Sequence, residues 1–379
     1  MLLAIASVFA VSGIAAALAA LLVVAQKYLA DYGECEIDIN GEKKLTVQGG
    51  ASLLESLTQN EIFIPSACGG RGTCAYCKLK VVEGGGPIVP VEEPYLSPEE
   101  REEGIRLSCQ VKIRNNVRVE IPAELLSVKQ YTCTCSRIID LTHDIKEFRF
   151  ELRDPPEISY TAGQYIQLYC PPYDGTGDVY RAYSISSNPA EKNVVDLQVR
   201  LVPGGICTTW CFEHLKEGDE VILNGPYGDF RLSDTDAPII FIAGGTGMAP
   251  IECMLNDMRN TGNRRQATYF FGVNRVDELF HKEAMQGFER DLASFRFVPV
   301  VARPGEGSGW TGETGLVTEA LERNLAPAER SKDSGERRAS PASASEAYLC
   351  GSPGMIDASI AVLTNLGMPE ENIFYDKFA

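Results

Sequence analysis

Three thiols on one glycine-rich loop, Cys68-Gly-Gly-Arg-Gly-Thr-Cys74-Ala-Tyr-Cys77, constrain this chain more than any other feature. A fourth returns at Cys109, inside Arg106-Leu-Ser-Cys-Gln. Four thiolates are what an iron–sulfur cluster requires. Gly69, Gly70 and Gly72 let the backbone wrap tightly and turn N–H groups toward sulfur, which offsets the added negative charge. A structural zinc site is the alternative, but such sites more often show two separated Cys-x-x-Cys pairs. With twelve cysteines in 379 residues and only four in a ligand pattern, the chain is not a disulfide framework and suits a reducing compartment. Cysteines 35, 133, 135, 170, 207, 211 and 253 read as small buried residues, although Cys207 and Cys211 can share a helical face. Histidines at 143, 214 and 281 give no support for a histidine-based metal site or triad. The net charge of −17 argues against nucleic acid as a partner.

Residues 2–26 carry no charge and are rich in Ala, Leu and Val, long enough to cross a bilayer as a helix. A cleaved signal peptide is the rival, but there is no basic n-region and the apolar run is too long for one. Lys27 follows, which places the rest of the chain in the cytoplasm by the positive-inside rule. Residues 35–48 alternate around Asn40-Gly41, a two-residue hairpin signal. A helix over 52–59 buries Leu53, Leu54 and Leu57, and 111–121 supplies a closing strand. From Tyr131 the pattern becomes short strands with Pro and Gly turns. At 238–243 a fully apolar strand runs into Gly244-Gly-Thr-Gly-Met-Ala-Pro250 and a helix, a unit suited to a dinucleotide pyrophosphate. Strand-like runs at 267–273, 296–301 and 346–350 alternate with helical ones, as a parallel sheet requires. Residues 327–346 are Ser, Ala and charge with little to bury, and read as a mobile surface loop.

These motifs resemble known families. Hairpin, helix and cysteine loop, from Asp31 to Val128, resemble the β-grasp [2Fe–2S] ferredoxins. The five residues between Cys68 and Cys74 resemble the adrenodoxin-like and respiratory-reductase branches. Thr161-Ala-Gly-Gln-Tyr165, Arg181-Ala-Tyr-Ser184, Gly204-Gly-Ile-Cys-Thr-Thr209 and Gly225-Pro-Tyr-Gly228 together resemble the flavin barrel of the ferredoxin–NADP reductase superfamily. That resemblance implies FAD, with Arg181 on its pyrophosphate, Tyr183 against its ring and Ser184 near N5. Gly205, Ile206, Cys207, Thr208 and Thr209 would open a phosphate-receiving helix. Gly244, Gly245, Thr246, Gly247, Met248 and Pro250 match the superfamily's nucleotide loop. Cys350-Gly351-Ser-Pro353 resembles its Cys-Gly-Pro motif, which sets a thiol beside the nicotinamide. Phe378 resembles the aromatic that covers the flavin ring. Ser184, Cys350 and Phe378 are the expected catalytic residues. Arg275 alone follows Phe270-Phe-Gly-Val-Asn274 as a candidate for a 2′-phosphate, so NADH is expected.

The whole order resembles the F subunit of the sodium-translocating NADH:quinone reductases. The resemblance implies a transmembrane anchor at 1–30, a ferredoxin domain at 31–129, an antiparallel FAD barrel at 130–234 and an α/β parallel-sheet NAD(H) domain at 235–379. Electrons would pass from NADH to FAD to a [2Fe–2S] cluster on Cys68, Cys74, Cys77 and Cys109, then to a membrane acceptor. The setting would be the inner membrane, single-pass and facing the cytoplasm, among other membrane subunits of a respiratory complex that lead to quinone. One departure stands out: that family carries a long acidic and aromatic insertion before Arg-Ala-Tyr-Ser, and here only 173–180 occupies the place. Two alternatives are the NADH reductase component of a phenol- or methane-monooxygenase-type oxygenase, and a non-catalytic redox sensor.

Overall fold

The computed structural model describes residues 12–14, 16–18, 32–66, 68–326 and 340–378. The expected membrane helix over 2–26 therefore lies outside the described residues, apart from two helical fragments at 12–14 and 16–18. Among the described residues no helix is long and apolar enough to cross a membrane. The chain forms two compact units, Met1–Val128 and Lys129–Ala379.

In the first unit the order is β1 (Glu34–Ile39), β2 (Lys43–Gln48), α1 (Leu53–Gln59), β3 (Lys78–Glu83), α2 (Pro98–Glu102), β4 (Ile105–Leu107), β5 (Val117–Glu120) and α3 (Ala123–Leu126). The strands lie in the order β2-β1-β5-β3-β4, with β1 and β5 parallel and the other pairs antiparallel. The first hairpin turns through three residues, not two, because Ile39 pairs with Lys43. Asn40 and Gly41 both take positive φ there, which Asn tolerates and Gly adopts freely. Helix α1 starts where Ser52 Oγ accepts the Glu55 N–H, and it buries Leu53 and Leu57 against the sheet. The closing strand is shorter than expected: Val111 and Ile113 are buried outside it, joined to the Ala51–Leu53 backbone by single hydrogen bonds.

One buried ion pair ties the 85–92 segment of this unit to the strand that leads to Cys109. Glu92 is 0% exposed and receives Arg106 Nε at 2.9 Å and Nη2 at 2.6 Å, with the Val89 and Leu107 N–H groups both at 3.0 Å. Arg106 spends its remaining donors on the carbonyls of Gly85, Gly86 and Pro87. A buried charge pair is tolerated when its donors and acceptors are all met, as here.

The second unit begins with an antiparallel barrel. Its strands are β6 (Lys129–Asp140), β7 (Ile145–Asp154), β8 (Tyr165–Cys170), β9 (Val179–Ser184), β10 (Val194–Arg200) and β11 (Glu220–Tyr227), with α4 (Ile206–Glu213) between the last two. The order is β10-β7-β6-β11-β8-β9, and a bridge between Ile185 and Leu197 brings the two ends together. Phe148, Phe150, Ile166, Leu168, Leu197 and Val199 fill the interior, each about 2–3 kcal/mol of transfer free energy.

The rest is a parallel sheet wrapped by helices. It comprises β12 (Ile239–Gly244), α5 (Met248–Thr261), β13 (Ala267–Val273), α6 (Lys282–Asp291), β14 (Phe295–Val301), β15 (Glu313–Thr314), α7 (Val317–Leu325), β16 (Glu346–Gly351), α8 (Pro353–Asn365) and β17 (Ile373–Lys377). The order is β15-β14-β13-β12-β16-β17. Along β12 the side chains alternate: Ile239, Phe241 and Ala243 face one core with α5 and α6, and Ile240 and Ile242 face another with α7 and α8. Of the expected loop over 327–346, residues 327–339 lie outside the described residues, and 340–346 are packed into the domain. Ser340 Oγ donates to the Leu325 carbonyl at 2.6 Å, Ala342 is buried, and Glu346 begins β16. The Glu346 carboxylate collects Arg265, Ser233, Thr235 and Tyr348. Burial works to raise its pKa, but those donors outweigh it and hold the carboxyl at about 2. Composition misled here because small and charged residues become core when each polar atom has a partner.

Replacing Glu92 by Ala strands the Arg106 charge in the core. The first unit should lose about 3–5 kcal/mol, measured by denaturant unfolding. Burial raises the Glu92 pKa, but the Arg106 and backbone donors bring it below the ordinary value. The wild-type contribution is therefore present above the ordinary Glu pKa and is lost as the pH falls through the lowered one.

Candidate functional sites

The four expected cluster thiols come together two by two. Cys77 Sγ lies 3.3 Å from Cys109 Sγ, and Cys68 lies close enough to Cys74 for each thiol to influence the other's ionisation. Within each pair one sulfur is held low and its partner pushed up, because the two share a proton: Cys68 falls to about 3 while Cys74 rises, and Cys109 falls while Cys77 rises. Gln110 Nε2 donates to Cys109 Sγ at 3.3 Å and also reaches the Gly70 carbonyl. Gly70 and Gly72 have φ of 82° and 76°, and a Cβ on Gly72 would press into Gln110 and Val91. Two sulfur pairs on a loop closed by glycines fit a [2Fe–2S] cluster, whose two irons each take two thiolates.

In the second unit β9 presents Arg181 and Tyr183 on one face and Ser184 on the other. Tyr183 meets Cys207 on α4, and Arg181 is close enough to both to influence their ionisation. The Arg181 guanidinium is steadied by its Nη1 bond to the Tyr180 carbonyl at 2.8 Å. No side chain caps α4, which starts after Gly205, so its first-turn N–H groups at Ile206, Cys207 and Thr208 have no intrahelical acceptor. Free N–H groups at a helix start, beside an arginine and a ring, have the chemistry to receive an anion. The Thr208 hydroxyl accepts the Val202 N–H at 3.2 Å and faces the Gly205 carbonyl. Thr209 instead meets the Tyr173 hydroxyl, which donates to the Ile206 carbonyl at 2.7 Å. Cys170 and Cys211 both contact Cys207 inside the barrel, so these thiols pack as small residues.

The glycine loop lies where the parallel sheet changes direction, at the C-terminal ends of β12 and β16. Ligands bind at such a switch point. A Cβ on Gly247 would collide with the Cys350 carbonyl, which is why the loop can lie directly on Cys350 and Gly351. Gly245 has a φ of 57°, and Thr246 and Gly247 complete a short 3-10 turn into Met248 and Pro250 at the head of α5. Cys350 is fully buried, and burial with the Asp376 charge pushes its thiol well up, so it stands as a neutral thiol. After Asn274, the Arg275 guanidinium is engaged by Asp277 at 3.0 and 2.9 Å.

Asp376 joins these parts. It pairs with Cys350 in register on β17, its carboxyl meets the Ser184 hydroxyl, and two residues on the Phe378 N–H donates to the Gly351 carbonyl at 2.9 Å. Ser184, Cys350 and the backbone of Phe378 thus lie near a half-buried acid that the motifs alone do not assign. Its signal in the sequence is the Asp-x-Phe ending. Burial pushes the Asp376 carboxyl up to about 6, against the hydrogen bond from Ser184.

Comparison with known proteins fits this arrangement. Residues 37–114 match the 2Fe-2S iron-sulfur cluster binding domain family, 132–232 the oxidoreductase FAD-binding domain and 241–360 the oxidoreductase NAD-binding domain. The chain is 34% identical to the F subunit of the Na(+)-translocating NADH-quinone reductase of Pseudomonas aeruginosa, over 95% of both chains. It is likewise 34% identical to the F subunit of the Methylococcus capsulatus enzyme, over 100% of both. The latter alignment spans 417 positions, so that relative carries residues this 379-residue chain lacks. Among solved structures, a cytochrome P450 reductase from Amycolatopsis superposes with a TM-score of 0.70 at 28% identity, covering 91% of this chain and 98% of that one. A ferredoxin reductase of carbazole 1,9a-dioxygenase shares the fold, with a TM-score of 0.67 at 22% identity, covering 91% and 98%.

Asp376 should titrate near pH 6, and the sign of its effect on stability follows. A folded-state pKa raised above the unfolded one gives stability that is full below about pH 4 and is lost as the pH rises through about 6. Thermal unfolding of wild type against Asp376→Asn across that window should show the wild type losing stability relative to the variant as the pH rises.

Proposed function

This chain belongs to the family of F subunits of the Na(+)-translocating NADH-quinone reductases, and on that premise we propose that it is the electron-input subunit of such a complex. The observation that carries the reading is identity of 34% along the full length of both chains, with all three cofactor-domain families in order. The protein is a flavin- and iron–sulfur-dependent NADH oxidoreductase. Bound FAD supplies a two-electron acceptor for the NADH hydride and a [2Fe–2S] cluster supplies a one-electron carrier.

The chain's own residues do the positioning. Cys68 with Cys74, and Cys77 with Cys109, would hold the two irons, and Gln110 steadies Cys109 with an N–H bond. Arg181 and the first turn of α4 would receive the flavin pyrophosphate, with Tyr183 against the ring. Gly244 to Pro250 would seat the nucleotide pyrophosphate, and the close approach at Gly247 sets its depth. Ser184, Cys350 and Phe378 would line the hydride path, with Asp376 orienting the Ser184 hydroxyl. Capture of Arg275 by Asp277 supports NADH over a 2′-phosphorylated nucleotide. The uncharged run at 2–26 supports a single-pass anchor in the inner membrane with the domains on the cytoplasmic side. Other members of the complex would then take the electrons to quinone. The shortened 173–180 segment sets this chain's docking surface apart from that of relatives with the insertion.

A second reading, an oxygenase reductase, draws on the resemblance to the P450 reductase structure. The apolar N-terminal run and the higher full-length identity to the F subunits favour the first.

Cys74→Ser should abolish the cluster's visible absorption while NADH still bleaches the flavin at near wild-type rate. Joint loss of both in a folded variant would contradict this division of labour. Arg181→Ala should weaken FAD retention by about ten- to a hundredfold, as expected for losing charge-assisted bonds to phosphate. Full FAD after dialysis would refute the barrel assignment.

A further inference from the structure

Within the second unit, three side chains from distant segments meet where the barrel packs on the nucleotide-binding half. His281, just before α6, places Nδ1 2.9 Å from Glu252 Oε2 and 3.0 Å from Oε1 on α5. Its Nε2 lies 3.4 Å from Glu147 Oε2 on β7. The three side chains are 17%, 13% and 11% exposed, so water screens them little. A neutral imidazole has one N–H and one lone pair, and would turn that lone pair on one of the carboxylates. Only the doubly protonated ring donates to both. The same trio has the composition of a cation site. Both ring nitrogens already face carboxylate oxygens, however, which leaves neither free for a metal.

The surrounding charges are otherwise committed. Asp196 on β10 is taken by Arg149 at 2.8 and 2.6 Å, and Glu191 lies 3.9 Å from the same arginine. Arg137 on β6 reaches Glu147 only at 3.5 Å. Arg259 on α5 and Glu283 on α6 border the same cavity, Arg259 bonding to Asn256 and Asp291. Gln198 Nε2 on β10 donates to Glu252 Oε2 at 2.8 Å and fixes that carboxylate. The His281 backbone is itself left-handed, at a φ of 53°, a conformation the fold must hold in place.

We propose that His281, as an imidazolium, is a positioning residue that staples α5 to β7 and thereby sets how the nicotinamide meets the flavin. The proposal rests on the NADH-oxidising function given above. Glu252 lies on the helix that the Gly244–Gly247 loop opens, and Glu147 lies on a barrel strand. The pyrophosphate loop belongs entirely to the nucleotide-binding half, so nucleotide affinity does not depend on the staple. The approach of nicotinamide to flavin does.

The pH dependence follows from the same groups. Burial works against the His281 charge, but Glu252, Glu147 and Asp196 outweigh it and raise the His281 pKa. Burial also raises that of Glu147. The staple is complete between those two values: Glu147 takes up a proton below the window and His281 loses one above it.

The test uses the full chain carrying FAD and the cluster, with NADH oxidation by ferricyanide and, separately, the thermal unfolding midpoint followed from about pH 5 to about pH 9. The wild-type midpoint should fall relative to that of His281→Lys on the alkaline side. Three variants are compared: His281→Asn, which suits a left-handed backbone, His281→Lys, which keeps a permanent charge, and Glu147→Gln, which breaks the bridge from the barrel side. Wild-type kcat should fall on the alkaline side. His281→Asn and Glu147→Gln should lose about tenfold in kcat per bound flavin, with KM for NADH within about twofold and no alkaline fall for His281→Asn. His281→Lys should recover most of the rate and keep it at alkaline pH. Wild-type kcat per flavin in both charge-removing variants, or loss only in proportion to lost FAD, overturns the staple and leaves the function standing. A flavin-loaded wild type that does not oxidise NADH overturns the function and the staple with it. If His281→Asn does not fold, Glu147→Gln decides.

Discussion

The nucleotide-binding half depends on one close approach of backbones, the Gly244–Gly247 loop lying on Cys350 and Gly351. It requires a parallel sheet in which β16 is the direct neighbour of β12, and it requires no side chain at Gly247. Because β17 then pairs beside β16, the chain's end is carried to the same place, with Asp376 opposite Cys350 and Phe378 bonded to Gly351. The contact of Asp376 with Ser184 ties that place to the barrel. Nucleotide loop, thiol, terminal aromatic and flavin-strand serine are therefore consequences of one packing constraint.

The ferredoxin unit solves a similar problem with charge. A loop rich in positive φ has little regular hydrogen bonding of its own, and the cysteines must be held by something outside it. Glu92 and Arg106 do this for Cys109, joining 85–87 and 89 to the strand that leads to it. Such a pair contributes little net stability compared with apolar packing, but it admits one arrangement only. The Arg265–Glu346 network does the equivalent for the segment between barrel and sheet.

Features that are local in sequence could be read there. The thiol loop, the Arg181-Ala-Tyr-Ser184 strand, the helix after Gly205 and the strand–glycine–helix unit at 239–261 each state their conformation through glycines, periodicity and caps. What could not be read depends on distant partners. Nothing near Glu92 announces that Arg106 will neutralise it, and nothing near His281 announces Glu147 and Glu252. Asp376 gains meaning only once β17 lies beside β16. Ser340 to Glu346 look soluble until Leu325, Ser233 and Arg265 are seen to satisfy them. The bond from the Val202 N–H to the Thr208 hydroxyl, across the turn before the helix, is likewise unannounced by the local pattern.

Everything in the two units converges on an electron route from NADH through flavin to the iron–sulfur cluster within this one chain. Its decisive check is rapid mixing of the full chain, loaded with FAD and the cluster, with NADH in the absence of oxygen. Flavin absorbance and the cluster's electron paramagnetic resonance are then followed in freeze-quenched samples. The flavin should bleach first, and the reduced-cluster signal should then grow in at its expense. A flavin that NADH leaves oxidised would contradict the route. So would a cluster that stays silent although dithionite reduces it.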